Sequence, residues 1–282
     1  METTTADEAT PTNPRASFAR QMLNKVPEVT LYFWVIKILC TTVGETVADY
    51  LNDNLGFGLT NTSYVMSALL IAVLVWQFRK REYVPGVYWL AVVLISVVGT
   101  LISDNLVDNL GVALETTTVA FSILLAITFS AWYASEKTLS IHSIVTTRRE
   151  SFYWLAILFT FALGTSAGDL VSERAGLGYG ISVVIFAAAI ALVALAHYRF
   201  KLGAVLAFWI AYILTRPLGA SIGDLMSQKP KHGGLGLGTT GTSAIFLATI
   251  LGLVVFLTIT RRDRIDTSDD PPVRGEPAMA DA

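Results

Sequence analysis

Apolar and polar residues alternate along this chain on a long period. Runs of about twenty mostly apolar residues are separated by short polar stretches, and a membrane-crossing helix needs about twenty such residues at a rise of ~1.5 Å each. Eight segments qualify, at roughly 29–50, 59–78, 83–105, 111–133, 151–173, 178–197, 203–225 and 239–260. The pattern predicts an all-α, polytopic bundle of eight transmembrane helices.

A second pattern lies inside the first. Trp-x9-Gly-x4-Asp occurs four times: Trp34, Gly44, Asp49; Trp89, Gly99, Asp104; Trp154, Gly164, Asp169; and Trp209, Gly219, Asp224. Successive copies are offset by 55, 65 and 55 residues. Three fixed positions recurring four times define a two-helix unit in tandem. Each unit crosses twice, so all four share one orientation about an axis along the membrane normal. The four aspartates are therefore expected at one depth, near the outer end of spans 1, 3, 5 and 7. The expected architecture is an eight-helix bundle of four pseudo-equivalent hairpins.

The chain divides accordingly. Residues 1–24 and 265–282 are polar tails expected to be disordered and cytosolic. Residues 25–134 and 151–264 form two membrane halves of two repeats each, joined by a cytosolic linker at 135–150.

Composition sharpens this. The 282 residues are 53% apolar and 15% charged, against about 25% charged in soluble domains, so most of the surface faces lipid. A net charge of −2 provides no basic field for nucleic acid. The single cysteine, Cys40, excludes a disulfide framework or a thiolate metal site within the chain. Of the 20 lysines and arginines, 15 fall in the tails, at Lys25, in the linker and around 79–81, 199–201 and 261–264; only Arg174, Lys229 and Lys231 fall on the other side. The positive-inside rule then predicts cytosolic termini in a bacterial cytoplasmic (inner) membrane.

The candidate chemistry is acidic. Asp49, Asp104, Asp169 and Asp224 form the expected layer, and four residues further on stand Asp53, Asp108, Glu173 and Gln228. Glu45 lies four residues before Asp49, where the other units have Thr100, Thr165 and Ala220. Carboxylate and hydroxyl oxygens suit hard or borderline cations, and ionised groups inside a bilayer need a cavity, a partner or an ion. The bland alternative places the second carboxylates at helix ends, in water. Two cations lie within spans, Lys37 and Arg216. Each is expected either to pair with a carboxylate on a neighbouring helix or to act as a counter-ion when cargo leaves. Pro217 removes one helix hydrogen bond beside Arg216.

Other repeated positions read as scaffold. Four residues after each glycine come Ala48, Ser103, Gly168 and Gly223, a small-xxx-small stripe for close helix contact. The tryptophans are expected to anchor at the interface. Glycine-bearing turns follow each aspartate, and unit four alone carries an insertion from Lys229 to Gly234. No nucleophile–base set, HExxH or phosphate loop is present, so no enzyme activity and no cofactor are expected.

The stretches KILCTTVGETVADYL (37–51), VGTLISDNLVDNLG (98–111) and TRPLGASIGDL (215–225) resemble a bacterial family of uncharacterised "membrane-anchored" proteins that carry a four-copy repeat of unknown function. The resemblance covers about residues 25–260 and implies the architecture, not a mechanism.

The reading that emerges is transport of a cation, with divalent metals among the candidates, through a carboxylate layer. Glu45 and the four repeated aspartates would bind it, with Lys37, Asp53, Thr100, Asp108, Glu173 and Arg216 behind them; the identity of the metal is left open. Its expected partners are the lipid bilayer and the cargo cation, and a homo-oligomer is compatible with it. The alternative is a non-transporting scaffold or envelope-stress protein whose buried acids are structural.

Overall fold

A computed structural model describes residues 24–54, 56 and 58–263; both expected tails lie otherwise outside the described residues. Eight long helices follow one another: α1 (Leu31–Asp49), α2 (Leu59–Phe78), α3 (Pro85–Asp104), α4 (Leu114–Glu136), α5 (Thr147–Asp169), α6 (Gly178–Phe200), α7 (Ala204–Ser227) and α8 (Gly238–Thr260). All eight are long and apolar enough to cross a membrane, and they fall on the eight expected segments. Local chemistry sets their ends. The Thr30 and Thr146 hydroxyls cap α1 and α5 by accepting from Phe33 N and Arg149 N, and Pro85 starts α3, where its missing N–H costs nothing.

The eight helices form two concentric rings. The inner ring is α1, α3, α5 and α7, each packed on the next, with α7 closing onto α1. Their most apolar windows are 56–72% buried, against 11–28% for the other four. The outer helices pack across the repeat boundary: α2 on α3, α4 on α5, α6 on α7, and α8 on α1. This corrects the expected hairpin, because a repeat's second helix docks on the first helix of the next copy. Part of the cause is local. After Asp49, Asp104 and Asp169 the chain passes into five residues of π-helix (Tyr50–Asn54, Asn105–Asn109 and Leu170–Arg174). Left-handed glycines then follow, Gly56 and Gly58, Gly111, and Gly176 and Gly178, conformations that cost glycine least.

Contacts repeat around the inner ring with the period of the sequence. A Cβ on Gly44 would overlap Ser96, one on Gly99 would overlap Phe161, one on Gly164 Arg216, and one on Gly219 Thr41. Each repeated glycine thus meets the residue seven after the tryptophan of the next copy, and the fourth copy meets the first. The small residues do bring backbones together, as expected.

Three of the four repeated tryptophans are buried between helices, where interfacial anchors were expected, and Trp34 is half-buried. Trp89, Trp154 and Trp209 are only 2–4% exposed. Each aromatic residue preceding a tryptophan meets the tryptophan of the next copy: Phe33–Trp89 at 5.7 Å between centroids, Tyr88–Trp154 at 5.5 Å, Tyr153–Trp209 at 6.3 Å and Phe208–Trp34 at 5.6 Å. The residues form a closed aromatic girdle. Interhelical burial, not the headgroup region, sets their place.

The girdle lies toward the end of the bundle that bears the chain ends, where residues 24–30 run across as a strap. Lys25 N donates to Ile144 O at 3.1 Å and Glu28 N to Asp263 O at 3.0 Å. Lys25 Nζ lies 2.6 Å from buried Glu150 Oε2, and Gln77 Nε2 donates to Glu150 Oε1.

Candidate functional site

Counted from each tryptophan, positions −1, +3, +7, +11 and +15 recur every four residues and drift slowly around one face of an inner helix. In four helices they make five layers, spaced by about 6 Å of helix rise. The first is the girdle, with Phe33, Tyr88, Tyr153 and Phe208. Next come Lys37, Val92, Ile157 and Tyr212; then Thr41, Ser96, Phe161 and Arg216; then Glu45, Thr100, Thr165 and Ala220; and last the four aspartates. Every side chain in the middle three layers is buried.

The centre of this stack is one guanidinium. Arg216, 0% exposed, donates from Nη2 to Glu45 Oε2 at 2.8 Å, to Thr165 Oγ1 at 2.7 Å, and to Thr100 Oγ1. Nη1 also donates to Thr41 O at 3.4 Å. Three copies of one repeat position therefore converge on a cation supplied by the fourth copy from one turn away. Arg216 has the neighbouring carboxylate it was expected to have. Charge-assisted hydrogen bonds of this kind are stronger than neutral ones, and two hydroxyls add to the shell of the buried pair, while Arg216 Nε has no hydrogen-bond partner. Helix α7 runs unbroken through Pro217, which packs against Gly164 and Gly168.

Lys37 differs. Its ammonium is fully buried, has no hydrogen-bond partner, and lies 4.3 Å from the ring centroids of both Phe161 and Tyr212. A cation–π sandwich replaces the expected ion pair.

At the other end of the stack, Asp224 is buried and Asp49, Asp104 and Asp169 are half-buried. Asp104 lies within electrostatic reach of Glu45, Asp169, Asp49 and Asp108, so carboxylates from three repeats share one region. Asp108 itself is exposed in the π-helical segment. The side chains of Asp53 and Glu173 lie outside those described. Among the described residues, no three His, Cys, Asp or Glu side chains are placed to hold a metal ion. The glycine turns are exposed, and nothing lies within 4 Å of a Cβ built on Gly56, Gly58, Gly111, Gly176 or Gly178, so they are plain tight turns. The unit-four insertion, with a single 3-10 turn at Pro230–His232, carries Lys229 and Lys231 exposed.

Tyr88 and Tyr153, whose hydroxyls lie 2.5 Å apart, and Tyr212 and Phe161 were not among the expected site residues. The four-residue stripe would have found them, because it runs in register from the girdle to the aspartates. Chemically, the stack is a carboxylate layer one helical turn from a buried carboxylate that is paired with a guanidinium.

The sequence model of the Repeat of Unknown Function (DUF347) matches four segments, residues 32–83, 87–138, 152–202 and 207–263. No curated protein and no solved structure matches the chain.

Proposed function

We propose, for a chain that belongs to the DUF347 repeat family and carries four copies of that repeat, the transport of a cation across a bacterial inner membrane. The observation that carries this reading is the Glu45–Arg216 pair at the ring axis, one helical turn below the aspartate layer. The half-buried aspartates would draw a hydrated cation to the mouth. There it would compete with Arg216 for Glu45. A static ion pair needs no acidic mouth above it; a gate does. In this reading Glu45 is free only when Arg216 withdraws. The bias of 15 basic residues to 3 supports cytosolic termini, with the aspartate end outside.

The test is flux of sodium, potassium, magnesium, calcium and manganese, each in turn, into proteoliposomes holding the purified protein. Wild type should move at least one of them, and Glu45→Gln should not. A non-transporting scaffold is the second reading, favoured by how fully Glu45, Thr100 and Thr165 satisfy Arg216 Nη2. Tight liposomes for every ion would establish it.

A further inference from the structure

We infer that Lys37 is a proton-binding site, and that a proton held there exchanges with the cation bound at Glu45. This rests on the transport reading above and names its coupling ion.

The stack contains two buried cations and one buried carboxylate at its centre, and Arg216 claims the carboxylate. Lys37 is left with aromatic faces only. A guanidinium stays charged under all ordinary conditions, whereas an amine has a neutral form and can cycle. Of the two, only Lys37 can carry a proton. The groups facing it from each packed element are few. Helix α7 presents Arg216 and Tyr212, α5 presents Phe161 and Tyr153, and α3 presents Tyr88 and Ser96; α1 itself carries Cys40 and Glu45; α8 has no ionisable side chain. Among the described residues, the ionisable groups within electrostatic reach of Lys37 are Arg216 and Cys40.

Hydroxyls lead from Lys37 to the end that bears the termini. Tyr212, whose ring touches the ammonium, has a buried hydroxyl without a hydrogen-bond partner and lies within electrostatic reach of Tyr153. The Tyr153 and Tyr88 hydroxyls are 2.5 Å apart. The Tyr88 ring lies 5.6 Å from the ring of Tyr83, whose hydroxyl donates to Asp263 Oδ2 at 2.6 Å. In the other direction, Arg216 and Glu45 lead to Asp104. The tyrosine hydroxyls therefore lie between Lys37 and the end of the bundle that bears the termini, with Tyr88 and Tyr153 hydrogen-bonded to each other, while Arg216, which keeps its charge, stands between Lys37 and the carboxylates.

The exchange balances. A cation that binds Glu45 frees the guanidinium, and a second full positive charge then faces Lys37. The Lys37 ammonium gives up its proton, by way of the tyrosine hydroxyls, to water at the far end of the bundle and becomes a neutral amine, so for a monovalent cation one positive charge enters the stack as one leaves, and for a divalent cation one of the two charges is offset. Cation departure lets Arg216 return to Glu45, and Lys37 takes up a proton again.

The experiment uses full-length protein in proteoliposomes with a trapped pH-sensitive dye. Gradients of sodium, potassium, magnesium, calcium and manganese are imposed in turn, and cation and proton movement are followed together. Wild type should move protons opposite to whichever cation crosses. Lys37→Met, which removes a buried unpaired charge, should keep its melting temperature and lose cation-driven proton movement by about a hundredfold. Lys37→Arg, which keeps the charge but cannot release it, should lose it as well. If a cation crosses with no proton movement, or Lys37→Met exchanges protons like wild type, the inference is overturned while transport stands. If no cation crosses at all, both readings fail.

Discussion

Arg216 Nη2 lies 2.8 Å from Glu45 Oε2, joining the last inner helix to the first across 171 residues of sequence. The bond closes the inner ring chemically, where α7 and α1 close it sterically. It also fixes where the four-fold pattern breaks: unit one supplies the acid, unit four the base, and units two and three supply threonines in the acid's place.

The ion pair makes both of its members matter for stability. Removing one partner leaves the other buried charge uncompensated, at a cost of about 3–5 kcal/mol. Glu45→Gln and Arg216→Gln should each lower the melting temperature in detergent, and the double variant should recover much of the loss. Transport should be absent in the two variants that lack Glu45. Strictly additive losses in the double variant would show that the two side chains do not interact.

The ring glycines make a positional prediction. Gly44→Ala, Gly99→Ala, Gly164→Ala and Gly219→Ala each drive a methyl into the next inner helix, and should destabilise by about 1–3 kcal/mol. Gly252, exposed in α8 with nothing within 4 Å of a built Cβ, should accept alanine with stability unchanged or raised by about 0.5–1 kcal/mol. Thermal unfolding of the five variants decides the matter; equal effects at Gly99 and Gly252 would contradict the close contact.

How much of this is legible in the sequence follows from what spacing encodes. The Trp, Gly and Asp positions specify eight spans, four parallel units and one acidic layer, because covalent spacing fixes depth along a helix. Spacing does not say which neighbour a helix chooses. Hairpin packing within a repeat and docking on the next repeat have the same sequence signature, and the structure has the second. The same gap explains the tryptophans: an indole near a helix end suits an interface or a girdle equally, and only the Phe33–Trp89 and Phe208–Trp34 contacts distinguish them. Lys37 and Arg216 look alike as intramembrane cations, yet their partners are three-dimensional facts. Arg216 meets Glu45 from the far end of the chain, and Lys37 meets only rings.

The strap at residues 24–30 should respond to pH. His142 Nε2 lies 3.4 Å from Glu28 Oε2. The hydrogen bond to Glu28 holds the imidazole above its usual 6.5, with partial burial pulling the other way. A raised folded value means the contact contributes fully below about 6.5 and is lost as pH rises through the folded value. Hydrogen exchange of residues 24–30 should therefore quicken from about pH 6 to about pH 8 beyond the intrinsic rate. His142→Gln should abolish the difference, and an unchanged pH response in that variant would rule the contact out as its cause.

The most direct test of the account is cation flux in proteoliposomes reconstituted at equal protein levels, comparing wild type, Asp104→Asn and Glu45→Gln. The account predicts flux of at least one cation in wild type, a reduced rate in Asp104→Asn, where one of four mouth carboxylates is neutralised, and none in Glu45→Gln, where the carboxylate at the axis is lost. Wild-type rates in Glu45→Gln, with the variant shown to be inserted and folded, would contradict it.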